Sequence, residues 1–253
     1  MYYPWLDVPF LTAPLLLTIV MTLAFFVTLY VAGAGFIIAY ENGHSLRVGD
    51  NDYRAYLARH VNYLESRILP LLIASVLGVW TIGSVVSSIV VSALVNIFFF
   101  AWGIAFCLAF LGLVFFLTLR YFWAKLKPRF FKFVAWSWAV FFWLAFSIVS
   151  SVGSFMLNSN GLIDDWESTE SLLDALLNVQ FLPQLCAQTG GALVLASLFF
   201  LYHVALPDRK NAAREKSRYD ICAKVAQRMR LPFFVGLLLL IGGSVFSFST
   251  LTE

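Results

Sequence analysis

Charge is scarce in this chain. Only 12% of its 253 residues are charged, against 61% hydrophobic, and the mean hydropathy is +0.84. A water-soluble domain carries about 25% charged residues, so a soluble enzyme is excluded. The net charge of +3 comes from 17 basic and 14 acidic residues spread along the chain. That is too small and too dispersed a surplus for a nucleic-acid binder, and no nucleic-acid partner is expected. Metal-ligating residues are few as well. Cys107, Cys186 and Cys222 lie far apart with no paired spacing, which points away from an iron-sulfur cluster, a disulfide framework or a c-type haem attachment site. There are three histidines, His44, His60 and His203.

The uncharged gaps are what organise the chain. No Asp, Glu, Lys or Arg occurs between Asp7 and Glu41, Arg67 and Arg120, Lys132 and Asp164, Asp174 and Asp208, or Arg230 and Glu253. About 20 apolar residues cross a bilayer as a helix, and the second gap holds two crossings divided near Ser87, Ser88 and Ser92. The prediction is an all-α, polytopic membrane bundle of one domain over 1–253, with six spans at about 15–39, 68–88, 96–119, 133–156, 184–206 and 231–251. The N-terminus has neither a basic n-region nor a small-residue cleavage site, so the first span is expected to persist in the mature protein. Pro4, Pro9 and Pro14 make the stretch before it a surface-lying lead-in, with Tyr2, Tyr3 and Trp5 at headgroup depth.

Six spans put all 17 basic residues, with seven of the acids, in the first, third and fifth connections; the opposite side keeps seven acids and no base. Basic loops stay in the cytoplasm, so both termini are expected outside, on the periplasmic face of a bacterial plasma membrane. In the first connection Tyr53, Tyr56, Leu57, His60, Val61, Leu64 and Ile68 recur at three-and-four spacing. That pattern predicts an amphipathic helix lying along the membrane and running into the second span. Ile221, Cys222, Val225, Ala226 and Met229 predict a second interfacial helix before the last span. On the acidic face, Ser168 to Asn178 reads as a short helix that either docks a periplasmic partner or packs back on its own bundle.

The spans are nearly bare of chemistry. No ionisable residue sits in the middle of any of them, which argues against a proton pump, a carboxylate-dependent transporter or a voltage sensor. Any nucleophilic enzyme would lack a base beside its Ser or Cys. His44 reads as a solvated loop residue. His60 and His203 lie on the same side, and neutral imidazole serves as an axial ligand of b-type haem or as a partner for a quinone head group; the structural alternative is that each bridges headgroups and backbone. Asn96 and Gln188 are the bulkiest polar groups near span ends, where they could bond neighbouring backbone. Met156 is a soft ligand or, more simply, packing. The 26 Phe and eight Trp, with Trp80, Trp102 and Trp143 deep in spans, suit a flat ligand as well as helix packing.

One succession of residues carries a resemblance. Gly78-Val79-Trp80-Thr81-Ile82-Gly83 ends the second span and Trp102 follows in the third; Trp123-Ala124-Lys125-Leu126-Lys127-Pro128-Arg129 forms a turn; Trp136 and Trp138 open the fourth span, Phe155-Met156-Leu157 closes it, and Leu182-Pro183 opens the fifth. Over residues 55 to 205 this order resembles the cytochrome bd oxidase subunit I-like membrane proteins, in particular the shortened forms that accompany multihaem c-type cytochromes. The departures are as informative. The first span lacks histidine, Asn96, Ala105 and Gly112 stand in the third where histidine or carboxylates are expected, and Gln188 stands where an arginine often follows the proline.

The resemblance implies an anchor subunit of a quinone-linked respiratory complex, without an oxygen-reducing or proton-pumping site of its own. Its implied partners are other membrane subunits, a periplasmic c-type cytochrome and the lipid bilayer. Haem b or quinone would be shared with a neighbour, and the residues to test first are His60, His203, Trp80, Arg129 and Gln188. Two further readings fit the same sequence: a small transporter or channel-like protein for a neutral or apolar solute, with Gly33-Ala34-Gly35 or Gly190-Gly191 permitting close helix approach or a broken span, and an assembly or scaffold protein.

Overall fold

The computed structural model describes residues 13–86, 98–158, 180–205 and 215–251, and every described element is helical. The helices are α1 (Ala13–Val48), α2 (Asn51–Tyr63), a π-helical turn (Leu64–Ile68), α3 (Leu69–Val86), α4 (Phe99–Tyr121), α5 (Pro128–Asn158), α6 (Phe181–Ala205) and α7 (Glu215–Leu251). With α2, the π turn and α3 taken as one continuous rod, six helices are long and apolar enough to cross a membrane. Large apolar side chains such as Phe106, Leu238 and Phe248 stand exposed on the outside of the bundle, where a bilayer would cover them. The serine-rich break at 87–97, the lead-in before residue 13 and the acidic segment 168–178 lie outside the described residues.

Helix α1 is the centre of the bundle, packed against α3, α5 and α6, while α4 pairs with α5 and α7 pairs with α6. Small residues set these seams. A side chain at Gly33 would run into the backbone carbonyl of Ala192, and one at Gly35 would lie 3.2 Å from the Ala139 Cα. On the other flank, a Cβ at Gly243 would come 2.6 Å from the Pro183 carbonyl oxygen, and one at Gly236 2.8 Å from that of Gly190. Without a hydrophobic drive between helices in lipid, such close backbone approach is what dispersion attraction needs. Gly33, Gly35 and Gly190 therefore serve close packing, Gly191 does not, and α1 and α6 run through all four unbroken.

Three sequence expectations are corrected. His44 is not in a loop: α1 runs on past the predicted first span to Val48, so His44 is an exposed helical residue and Glu41 a buried one. At 1.5 Å per residue its 36 residues reach about 54 Å, well past a hydrocarbon core of about 30 Å. Secondly, the amphipathic stripe of α2 is not laid against lipid, because Tyr53, Tyr56, Leu57, His60 and Val61 are all buried in the protein core. Thirdly, Ile221 to Met229 belong to the same helix as the last span, with Val225 and Met229 buried and Ala226 exposed.

The corner between α1 and α2 explains the first correction. Gly49 adopts φ +73, a left-handed conformation that costs other residues about 1–2 kcal/mol, and it ends α1. Asp50 then caps α2, its carboxylate accepting from the Tyr53 backbone N–H at 3.2 Å. Farther along, Pro70 cannot donate to the carbonyl four residues back, and its ring crowds that carbonyl. The wider π turn at Leu64–Ile68, in which the Leu69 N–H bonds the Leu64 carbonyl, precedes it and accommodates the mismatch.

Side-chain contacts bring the first, third and fifth connections to one end, which is the basic end. Arg54 donates to the Trp123 carbonyl at 3.2 Å, Arg120 pairs with Glu65 at 2.7 Å, and Lys224 pairs with Asp50 at 3.0 Å.

Candidate functional site

His60 and His203 meet at the basic end of the bundle. The α2 stripe delivers His60, which is 0% exposed, and the last turn of α6 delivers His203, which is half-buried. Their ring centres are 5.0 Å apart and the rings nearly perpendicular, at 87°. The Tyr30 hydroxyl, from the middle of α1, lies 2.7 Å from His60 Nε2, and Phe200 stacks on the face of His60 at 3.7 Å. Tyr56 donates to the Phe200 carbonyl at 2.7 Å, fixing α2 on α6, and Tyr63 stands 5.0 Å from the His203 ring. The result is an aromatic box around two imidazoles.

Each imidazole has one ring nitrogen without a hydrogen-bond partner. Among the described residues, neither Nδ1 of His60 nor Nδ1 of His203 finds a hydrogen-bond partner, and both atoms are buried. Native proteins leave few buried polar atoms unpaired, so two in one box mark it as the strongest site candidate. A haem held by two imidazoles needs one ring on each face of the porphyrin. Here the rings touch edge to face and Phe200 covers His60, so as placed the pair does not fit a haem between them. No group of three or more His, Cys, Asp or Glu able to hold a metal occurs among the described residues. Both free nitrogens are sealed inside the box, so a small polar group could bond to them only if the surrounding side chains moved aside. Tyr30→Phe, which leaves His60 Nε2 unpartnered, is expected to cost about 1–3 kcal/mol, read as a lower unfolding temperature in detergent.

The other residues named from the sequence are not brought to this box. Trp80 packs edge-on against Trp102 at 5.4 Å, between α3 and α4. Arg129 is exposed in the first turn of α5. Gln188 lies on α6 beside a lipid-facing cleft, and its side-chain oxygen bonds no backbone, contrary to expectation. Trp143 is a packing residue whose Nε1 donates to Thr189 Oγ1 at 3.0 Å. The three cysteines are free.

Two groups escaped the sequence reading. Tyr30 sits in an apolar span and looks like one more aromatic; the signal available was a phenol at mid-span, where a hydroxyl needs a partner. The second is a charge cluster at the α1–α2 corner. Glu41, its side chain 5% exposed, accepts from Arg228 Nη1 at 3.0 Å, and Arg228 also lies 4.2 Å above the Tyr53 ring. Asp50 joins it through Lys224 at 3.0 Å and Arg228 Nη2 at 3.7 Å.

The Asp50 carboxyl is held below its ordinary 3.8. Burial alone would raise it, but the hydrogen bonds from Lys224 and the Tyr53 N–H, with the charges of Lys224 and Arg228, more than offset that. The folded protein thus binds this proton less readily than the unfolded chain. The stabilisation it brings is complete above the unfolded value and is lost as pH falls below 3.8 through the folded one. Thermal unfolding followed from about pH 5 down to about pH 2 should show a steeper acid loss in the wild type than in Asp50→Asn, which keeps a capping oxygen without the charge. Parallel curves would refute the coupling.

Comparison of the chain with protein-family models, with curated proteins and with solved structures finds no match.

Proposed function

We propose that the chain is a membrane anchor subunit of a quinone-linked respiratory or electron-transfer complex, set in a bacterial plasma membrane with its basic end in the cytoplasm and its termini periplasmic. The observation that carries this reading is the box at the basic end, where Tyr30 engages His60, and His60 and His203 each hold an unpartnered Nδ1. A neutral imidazole nitrogen at the membrane boundary suits a quinone oxygen, which accepts a hydrogen bond when oxidised and donates one when reduced. The described spans are unbroken and their middles hold no Asp, Glu, Lys or Arg, which favours an anchor over a transporter. In this reading haem belongs to a neighbour, a c-type cytochrome on the acidic side among them.

The test is purification from native membranes in mild detergent, followed by a dithionite-reduced minus oxidised spectrum of the complex and of the chain alone. A cytochrome spectrum in the complex, with quinol oxidation weakened by His203→Ala, is the expected result. A complex with neither a redox cofactor nor a cytochrome partner would sink the proposal.

A further inference from the structure

The turn between α4 and α5 carries charge that the protein does not neutralise. Lys125, Lys127, Arg129 and Lys132 follow one another closely, all four are exposed, and none is paired with a carboxylate among the described residues. Other cations at the same end are matched: Arg120 holds Glu65, Lys224 holds Asp50 and Arg228 holds Glu41. No Asp or Glu occurs between Glu65 and Asp164, so the hairpin of α4 and α5 has no acid of its own to offer. The turn is also held in shape. The Phe122 carbonyl accepts from the backbone N–H groups of Lys125 and Leu126 at 2.9 and 3.0 Å, Arg54 donates to the Trp123 carbonyl, and the Trp123 ring packs edge-on against Phe131 at 4.8 Å. The four charges therefore stand on a fixed frame.

The surface that continues from these charges indicates what they meet. From the first turn of α5 an exposed apolar stripe runs along the helix through Phe130, Phe133, Val140 and Leu144 at helical spacing, and Phe133 lies edge-on to Phe115 of α4 at 6.0 Å. Four unpaired cations at one end of a lipid-facing strip match a molecule with an anionic head and apolar tails. A soluble anion or an acidic protein segment would use the charges and leave the strip uncovered. We propose that the α4–α5 turn binds an anionic phospholipid, its phosphate held among Lys125, Lys127, Arg129 and Lys132 and its acyl chains lying on Phe130, Phe133 and the stripe beyond them. This gives Arg129, which stands apart from the His60–His203 box, a role of its own. The site rests on the chain spanning a membrane and not on the electron-transfer reading.

The experiment measures retention of tritiated dioleoylphosphatidylglycerol and of tritiated dioleoylphosphatidylcholine, supplied in equal amounts, on the immobilised full chain in mild detergent. The anionic lipid should be retained in about tenfold excess, equivalent to about 1.4 kcal/mol. That excess should shrink severalfold as salt is raised from about 0.05 to about 0.5 M, because exposed charges are screened. Arg129→Gln combined with Lys132→Gln should remove most of it. Arg59→Gln combined with Arg67→Gln, two exposed arginines outside this turn, should leave it in place. Since all four positions are exposed, both double variants should unfold like the wild type in lipid-free detergent. Equal retention of the two lipids by the wild type would overturn the site, and so would equal losses in the two double variants, which would mean a diffuse basic face. Displacement of the anionic lipid by an equal concentration of glycerophosphoglycerol, its head group without chains, or of a glutamate-rich peptide would overturn it in favour of a soluble anion or an acidic protein segment.

Discussion

Replacing Arg228 with alanine is expected to destabilise the protein by about 3–5 kcal/mol, enough to remove most folded material from a detergent extract. The reason is what it leaves behind. Glu41 would stay inside the α1–α2–α7 corner, its carboxylate 5% exposed and its Arg228 partner gone. Asp50 would lose its more distant cation, and the Tyr53 ring the guanidinium over its face. Removing one member of a buried pair costs more than removing both, so Glu41→Gln combined with Arg228→Ala should recover much of the loss. Thermal unfolding of the wild type, Glu41→Gln, Arg228→Ala and the double variant in one detergent completes the cycle. Equal losses in the single and double variants would show that packing, not the buried charge, governs the corner.

Gly33→Leu should be nearly as damaging, at about 3 kcal/mol or more, because the first added carbon already meets the Ala192 carbonyl and no side-chain movement can relieve a backbone clash. The α1–α6 seam would open, and with it the box, since Tyr30 reaches His60 from one turn away on the same helix. Gly191→Ala is the matched control on the facing helix. It meets only side-chain tips and replaces glycine in a helix interior, so a gain of up to about 1 kcal/mol is expected. If both substitutions lowered stability alike, the seam would not depend on backbone approach at Gly33.

The six spans were legible because a charge is expensive in hydrocarbon, and gaps between charges therefore count crossings. The same logic does not say how far a helix runs past its span, and α1 continues to Val48. That Glu41 is buried could not be read either, because its partner Arg228 lies 187 residues away and no local pattern reveals such a pair. The amphipathic stripe of α2 was equally visible in the spacing, yet spacing cannot say whether lipid or protein covers it. It is Tyr30 of α1 and Phe200 of α6 that cover His60. Likewise His60 and His203 could be assigned to one side but not brought into contact, because that contact depends on how the small residues along α1 and α6 set the seam between those helices.

The corner at Gly49 and Asp50 also bears on the order of assembly. The first half of it leaves the ribosome early: Asp50 caps α2 as soon as that helix forms. Its neutralising cations, Lys224 and Arg228, are synthesised with the last helix, 174 and more residues later. Until α7 is in place, Glu41 and Asp50 lack the cations that hold them in the folded protein, and a chain truncated before α7 lacks them permanently. The corner that opens α2 is thus closed by charges that only α7 supplies.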